Sequence, residues 1–188
     1  MTMKRHVYPS HEEMLLRLLA HYEDAEGSTL DDGAEWYALA RREARRLSRA
    51  YDVTLRQAAG IIAALSPQVQ WRVNLRLAEQ VCRDGDVDGA CLKASADKAW
   101  RIRNGEAPLA VLGGPKVRAF YRALMGDPEA AVLDTWMFQA LDWPDGGTRS
   151  GRQYERAEGA LREAARLVSL PVSELQAIVW CHVRGAAH

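Results

Sequence analysis

The stretch that decides the reading is VLGGPKVRAFYRALMGDPEAAVLDTWMFQAL, residues 111–141. Val117, Phe120, Tyr121 and Leu124 repeat at helical spacing, so a helix is expected to start near Pro115. Gly113 and Gly114 stand directly before it and permit backbone conformations that other residues forbid. Free backbone N–H groups and the positive end of a helix dipole would then meet at one turn, which suits a phosphate. Lys116 lies in the first turn, where the dipole disfavours a cation, so its presence calls for another reason. Eighteen positions later Asp134 stands in AVLDTWMF, with only Thr135 polar beside it, at a position suited to capping a short helix over about Ala130 to Leu141.

Outward from this stretch the pattern is helix after helix. Ser10 with Glu13 and Thr54 with Gln57 have capping-box spacing. The first opens a helix carrying Met14, Leu15, Leu18, Leu19 and Tyr22. The second opens TLRQAAGIIAALS, which is apolar nearly all round and should be the central buried helix. Gly27 to Gly33 reads as a polar loop. Trp36, Ala40, Ala44 and Leu47 mark one face of the next helix, with RREARR on the other. QWRVNLRLAEQVCRD is a helix ended by DGDVDG, and Ser95 opens another that closes at Gly105. Pro108 to Pro115 reads as turn-rich and DWPDGGTRSG as a loop. A long amphipathic helix around Tyr154 to Val168 and a last one from Pro171 follow. No strand or repeat is visible, so an all-α fold of about nine or ten helices in two lobes is expected, with the chain's two ends packed together.

Composition narrows the class. The chain has 188 residues and a formal net charge of zero, which disfavours a generic nucleic-acid glue. The charge is uneven. Ser10 to Glu35 holds eight acids (Glu12, Glu13, Glu23, Asp24, Glu26, Asp31, Asp32, Glu35) against Arg17. Lys93 to Leu124 holds seven bases (Lys93, Lys98, Arg101, Arg103, Lys116, Arg118, Arg122) against Asp97 and Glu106, and could face an anionic partner. Cys82, Cys91 and Cys181 form no CxxC pair and read as reduced thiols in a cytoplasm-like compartment. No signal peptide or membrane span is visible, and no histidine pair has metal-ligand spacing.

Two segments together resemble the helix-hairpin-helix DNA glycosylases, the endonuclease III superfamily. GPKV looks like the hairpin-to-helix step of that family, and VLDTWMFQA looks like its VDTHIFR segment, with Trp136 in place of histidine. The spacing of Lys116 to Asp134 is that of the endonuclease III-like members. Upstream, IIAALSPQVQWRVN, residues 61–74, is similar to the family's LLSAQATDxxVN segment, and Gln68 takes the place of the base-replacing glutamine. The likeness covers residues 54–141, with the hairpin at about 95–125; residues 1–53 and 142–188 match only as flanking helices of one glycosylase-like unit. The hairpin departs from the family's LPGVGRK, one glycine being displaced, and the family's C-terminal iron–sulfur cysteines are absent.

The resemblance implies a cleft between the lobes that admits a flipped nucleotide, and a monomer acting on DNA. Asp134 would stabilise charge on the sugar as the N-glycosidic bond of a modified or damaged base breaks, and Lys116 would be a Schiff-base nucleophile for strand cleavage. Gln68 and Trp71 would fill the vacated stack. Gly113, Gly114 and Arg118 would hold phosphates, and Trp136 and Tyr121 would wall the base pocket. It implies no cofactor beyond a monovalent cation at the hairpin. Two alternatives stay open: a phage-type transferase that hypermodifies thymine-derived bases on the same scaffold, and a non-catalytic DNA-binding module.

Overall fold

A computed structural model describes residues 8–87, 91–144 and 151–185. Ten helices occur among them: α1 (His11–Glu23), α2 (Ser28–Ala50), α3 (Leu55–Leu65), α4 (Trp71–Asp84), α5 (Lys93–Arg103), α6 (Pro108–Val111), α7 (Pro115–Met125), α8 (Thr135–Ala140), α9 (Gly151–Leu167) and α10 (Val172–Arg184). The all-α expectation holds, and no strand occurs among the described residues. The chain divides into two compact units. The terminal unit takes residues up to Trp36 and those from Ala131 onward; the central unit is Tyr37–Ala130.

Local chemistry starts both capped helices. Ser10 Oγ accepts from Glu13 N at 3.2 Å while Glu13 returns an acceptor to Ser10 N at 2.7 Å. Thr54 and Gln57 repeat the arrangement at α3. Each such cap contributes about 1 kcal/mol. The Gln57 amide also donates to Ile102 O and Arg103 O at 3.3 and 3.1 Å, tying the start of α3 to the end of α5.

In the central unit every residue from Ala58 to Leu65 is buried, because α3 is flanked by α4, α5, α6 and α7. Its last turn leaves backbone carbonyls without helical partners. One of them, Ile62 O, accepts from the buried Asn74 amide of α4 at 3.1 Å. Gly60 explains how α6 comes so close: a Cβ there would stand 2.8 Å from Pro108 Cγ and 3.1 Å from Ile102 Cγ2.

In the terminal unit α1 packs on α9 and α10, so the two ends of the chain do lie together. Met14, Leu18, Met137, Leu141, Leu161 and Leu175 are fully buried in one core.

Several boundaries differ from the sequence reading. Residues 28–33, expected as a loop, are the first turns of α2. Gly33 is helical, and a Cβ on it would lie 2.5 Å from Ile178 Cα, so this glycine is there for backbone contact with α10 rather than for a turn. Helix α5 begins at Lys93, leaving Ser95 buried inside its first turn. Pro108 starts a short helix, since its missing N–H costs nothing at a first helical position. Helix α8 begins only at Thr135, after residues 130–134, which belong to no helix. Most of the DWPDGGTRSG loop, residues 145–150, lies outside the described residues, as do the last two residues of DGDVDG, 88 and 89, and residue 90 after them.

All three cysteines are free. Burial pushes the Cys82 and Cys181 thiols up to about 11 and raises Cys91 as well. At pH 8 a thiol reagent should therefore label the half-buried Cys91 first and reach Cys82 and Cys181 only as the protein unfolds. Gly60→Ala should destabilise the protein by about 1–3 kcal/mol in urea unfolding, because overpacking against Pro108 outweighs the roughly 1 kcal/mol of helix propensity gained.

Candidate functional site

In the central unit the two motif segments meet. Gly114 has φ 75° and ψ 147°, a conformation open essentially to glycine alone, and it turns the chain into α7. Pro115 is the first helical residue and Lys116 the second. The Lys116 ammonium donates to Ser66 Oγ at 3.3 Å and stands 5.7 Å from the centre of the Phe120 ring. Ser66 caps the end of α3 and donates its own proton to Ala63 O at 2.9 Å. The lysine that the helix dipole disfavours is thus held by a hydroxyl lone pair and an aromatic face one turn along.

Two residues beyond Ser66, Gln68 is exposed and adopts φ 61°. A non-glycine residue in the left-handed region is strained by about 1–2 kcal/mol. Gln68 is the central residue of the five-residue connection, 66–70, between α3 and α4. Trp71 opens α4 and meets the Phe120 ring edge-on at a centroid distance of 6.4 Å. Phe120 therefore sits under both Lys116 and Trp71. Gly113 and Arg118 are exposed beside the turn. The Lys98 ammonium lies 3.6 Å from where a Gly113 Cβ would be, adding a second cation to this corner. Tyr121 is buried, 7% exposed, and burial raises its phenol pKa.

In the terminal unit Asp134 caps α8. Its Oδ1 accepts from Met137 N at 3.1 Å, and its Oδ2 accepts from the Trp180 indole N–H at 2.9 Å. Both oxygens are thereby fixed in direction while the residue stays partly exposed. The residues before it belong to no helix or sheet that would pair their backbone groups. The Tyr154 hydroxyl serves instead, donating to Ala131 O at 2.6 Å and accepting from Leu133 N at 3.1 Å. Its buried phenol is pushed far above the ordinary tyrosine range, chiefly by desolvation, so it stays a donor. Trp180 stacks on Trp36 at 5.3 Å with a 31° tilt, and the Arg184 guanidinium lies 4.7 Å from the Trp180 ring centre. Trp136, on the first turn of α8, is 38% exposed.

The structure thus brings Lys116, Trp71 and the Ser66–Gln68 loop together in one unit, and holds Asp134 and Trp136 in the other. Sequence reasoning missed Ser66, Asn74, Tyr154 and the role of Trp180. Asn74 alone carried a signal, as a lone amide on the apolar face of an amphipathic helix. The others act through partners 21 to 50 residues away in sequence. No cluster of three or more metal-ligating side chains occurs among the described residues. No helix among them is long and apolar enough to cross a membrane.

The strain at Gln68 can be read out. Gln68→Gly should leave folding stability unchanged or raise it by up to about 1 kcal/mol, because relief of the left-handed strain is offset by a more flexible unfolded chain. Gln68→Val should lower it, since a β-branched residue fits that conformation worst. Urea unfolding of the two variants measures both signs.

No curated protein and no solved structure matches this chain. A family profile matches residues 2–187, nearly its whole length, and the chain belongs to that family, one of unknown function (DUF7178).

Proposed function

We propose that this protein is a DNA base-directed enzyme that extrudes a nucleotide and breaks the N-glycosidic bond of a modified or damaged base. The observation that carries the reading is the contact of Lys116 with Ser66. It joins the Gly-rich hairpin to the SPQ loop, two segments fifty residues apart whose sequences each resemble the same glycosylase family. The strained, exposed Gln68 in that loop supports it further, since strain of this kind gathers at functional positions.

In this reading Gln68 enters the stack that the base leaves, with Trp71 behind it. Unstacking and unpairing cost a few kcal/mol, which the inserted side chain and phosphate contacts offset. Gly113, Gly114 and Arg118 hold phosphates and set position without reading sequence. Asp134 keeps its charge directed at the sugar. As the C1′–N bond lengthens, the bonding pair leaves with the base and positive charge grows on the sugar ring, where a fixed carboxylate lowers the barrier. A water then attacks C1′ and gives up its proton. In the lyase branch Lys116, deprotonated to the free amine, attacks C1′ instead as the base leaves; the ring C1′–O4′ bond then opens, O4′ takes the bonding pair and a proton from the nitrogen, and a Schiff base remains. Trp136 offers an exposed aromatic face for the base, while Tyr121 lies on the buried face of α7 and can wall a pocket only from within the core.

Asp134→Asn is the discriminating variant. Asparagine also caps helices well. It has only one acceptor oxygen for the two donors that face Asp134, so about 1 kcal/mol of stability should be lost. Base release from a panel of modified-base duplexes should fall about 100-fold or more. Wild-type release by this variant would remove Asp134 from the chemistry. Borohydride should trap wild-type protein on DNA, and Lys116→Gln should abolish the trapped complex. Mass analysis of the digested DNA separates the rivals: an altered nucleoside without an abasic site selects the hypermodifying transferase, and binding without either product selects the non-catalytic module.

A further inference from the structure

The α2 helix carries a feature that the reading above leaves unused. Tyr37, Ala40, Ala44 and Leu47 form its buried face. At 100° per residue, Arg42, Arg45, Arg46 and Arg49 fall on the opposite face. They line a shallow groove of about 610 Å3 with Ala50. Arg46 is engaged by Glu43 at 2.8 Å and by Glu79 of α4 at 3.4 Å. Arg42, Arg45 and Arg49 are exposed, and none of the three has an ion pair among the described residues.

This arrangement is unfavourable in the protein alone. Arg42 faces Arg45 and Arg46, and Arg49 faces the same two, all at the three- and four-residue spacings where like charges repel. Complementing the helix dipole accounts for Arg49 in the last turn and not for Arg42 or Arg45. A zero net charge for the whole chain conceals the concentration.

We propose that this arginine face binds the sugar–phosphate backbone of duplex DNA. The stripe from Arg42 to Arg49 runs about 10 Å along the helix axis, a length over which a duplex presents roughly six phosphate charges. All four side chains are guanidinium groups, which pair with phosphate oxygens in fixed two-point geometry, and there is no lysine among them. The face has no exposed large apolar residue to enter a bilayer, which disfavours an anionic membrane. It has no aromatic residue to stack on unpaired bases, which disfavours a single strand. The buried face of the same helix turns toward α7, where Tyr37 meets Phe120 at 6.4 Å, so the stripe points away from the Lys116 corner and is a second contact. The inference does not require base chemistry.

The test is fluorescence anisotropy of a labelled 20-base-pair duplex across a range of KCl concentrations. Arg42→Gln/Arg45→Gln/Arg49→Gln should keep native circular dichroism, since all three are exposed. It should bind at least about tenfold more weakly near 0.1 M salt, with a salt slope shallower by about two to three, as expected for three lost phosphate contacts. Arg83→Gln/Arg152→Gln/Arg166→Gln removes the same charge at exposed positions elsewhere and should keep most of the affinity. Wild-type affinity and slope in the folded α2 variant would overturn the inference. So would an equal loss in the control, a preference for single strands, or no duplex binding by the wild type. If the wild type binds the duplex through this face while it releases no base from any substrate, the enzymatic reading fails and the arginine face stands; if base release by the wild type persists while the α2 variant binds normally, the face fails alone.

Discussion

The central unit depends on how closely its neighbours approach α3. That helix is buried along its whole apolar run, and such a helix can only be covered if partners come near its backbone on more than one side. Gly60 permits this where Pro108 and Ile102 press in. Because Pro108 begins α6, the position of α6 is set against α3. The two glycines that follow turn the chain into α7, and α7 delivers Lys116 to the end of the same α3, onto Ser66. The lysine's place is thus fixed from the middle and the C-terminal end of one buried helix. Asn74 secures that helix's last turn from α4, which holds the other end of the Gln68 loop.

In the terminal unit the equivalent constraint is the need to satisfy a run that belongs to no helix or sheet. Residues 131–133 are buried, and their backbone polar groups require partners. Tyr154 reaches across from α9 and answers two of them with one hydroxyl. Asp134 ends the run by capping α8, and its second oxygen finds the Trp180 indole. A carboxylate with one ordinary structural duty is thereby given a second, directional one. Trp180 is itself held between Trp36 and Arg184, so the orientation of Asp134 is backed by an aromatic and cationic stack.

Charge organises the molecule more locally than its balanced total suggests. The hairpin corner gathers Lys98, Lys116 and Arg118 around two glycines, and α2 gathers four arginines on a face that touches no core. Under the function proposed above, two separate concentrations of cations would position a polyanion at defined points rather than coat the protein with it. Whole-chain charge does not register either concentration.

The sequence by itself determined the helices and where most of them begin. Hydrophobic spacing and capping chemistry are local, and Ser10–Glu13 and Thr54–Gln57 act across three residues whatever surrounds them. It also singled out α3 as the buried helix, because a segment without a polar face has nowhere else to go. The tertiary structure decided what the glycines are for: Gly33 looks like a loop residue until α10 is laid against it, and Gly60 looks like a defect until Pro108 arrives. It likewise decided the surroundings of Lys116 and Asp134. Ser66 and Trp180 have no local pattern that announces them, since a hydrogen bond between residues 46 or 50 positions apart exists only once helix packing has brought their ends together.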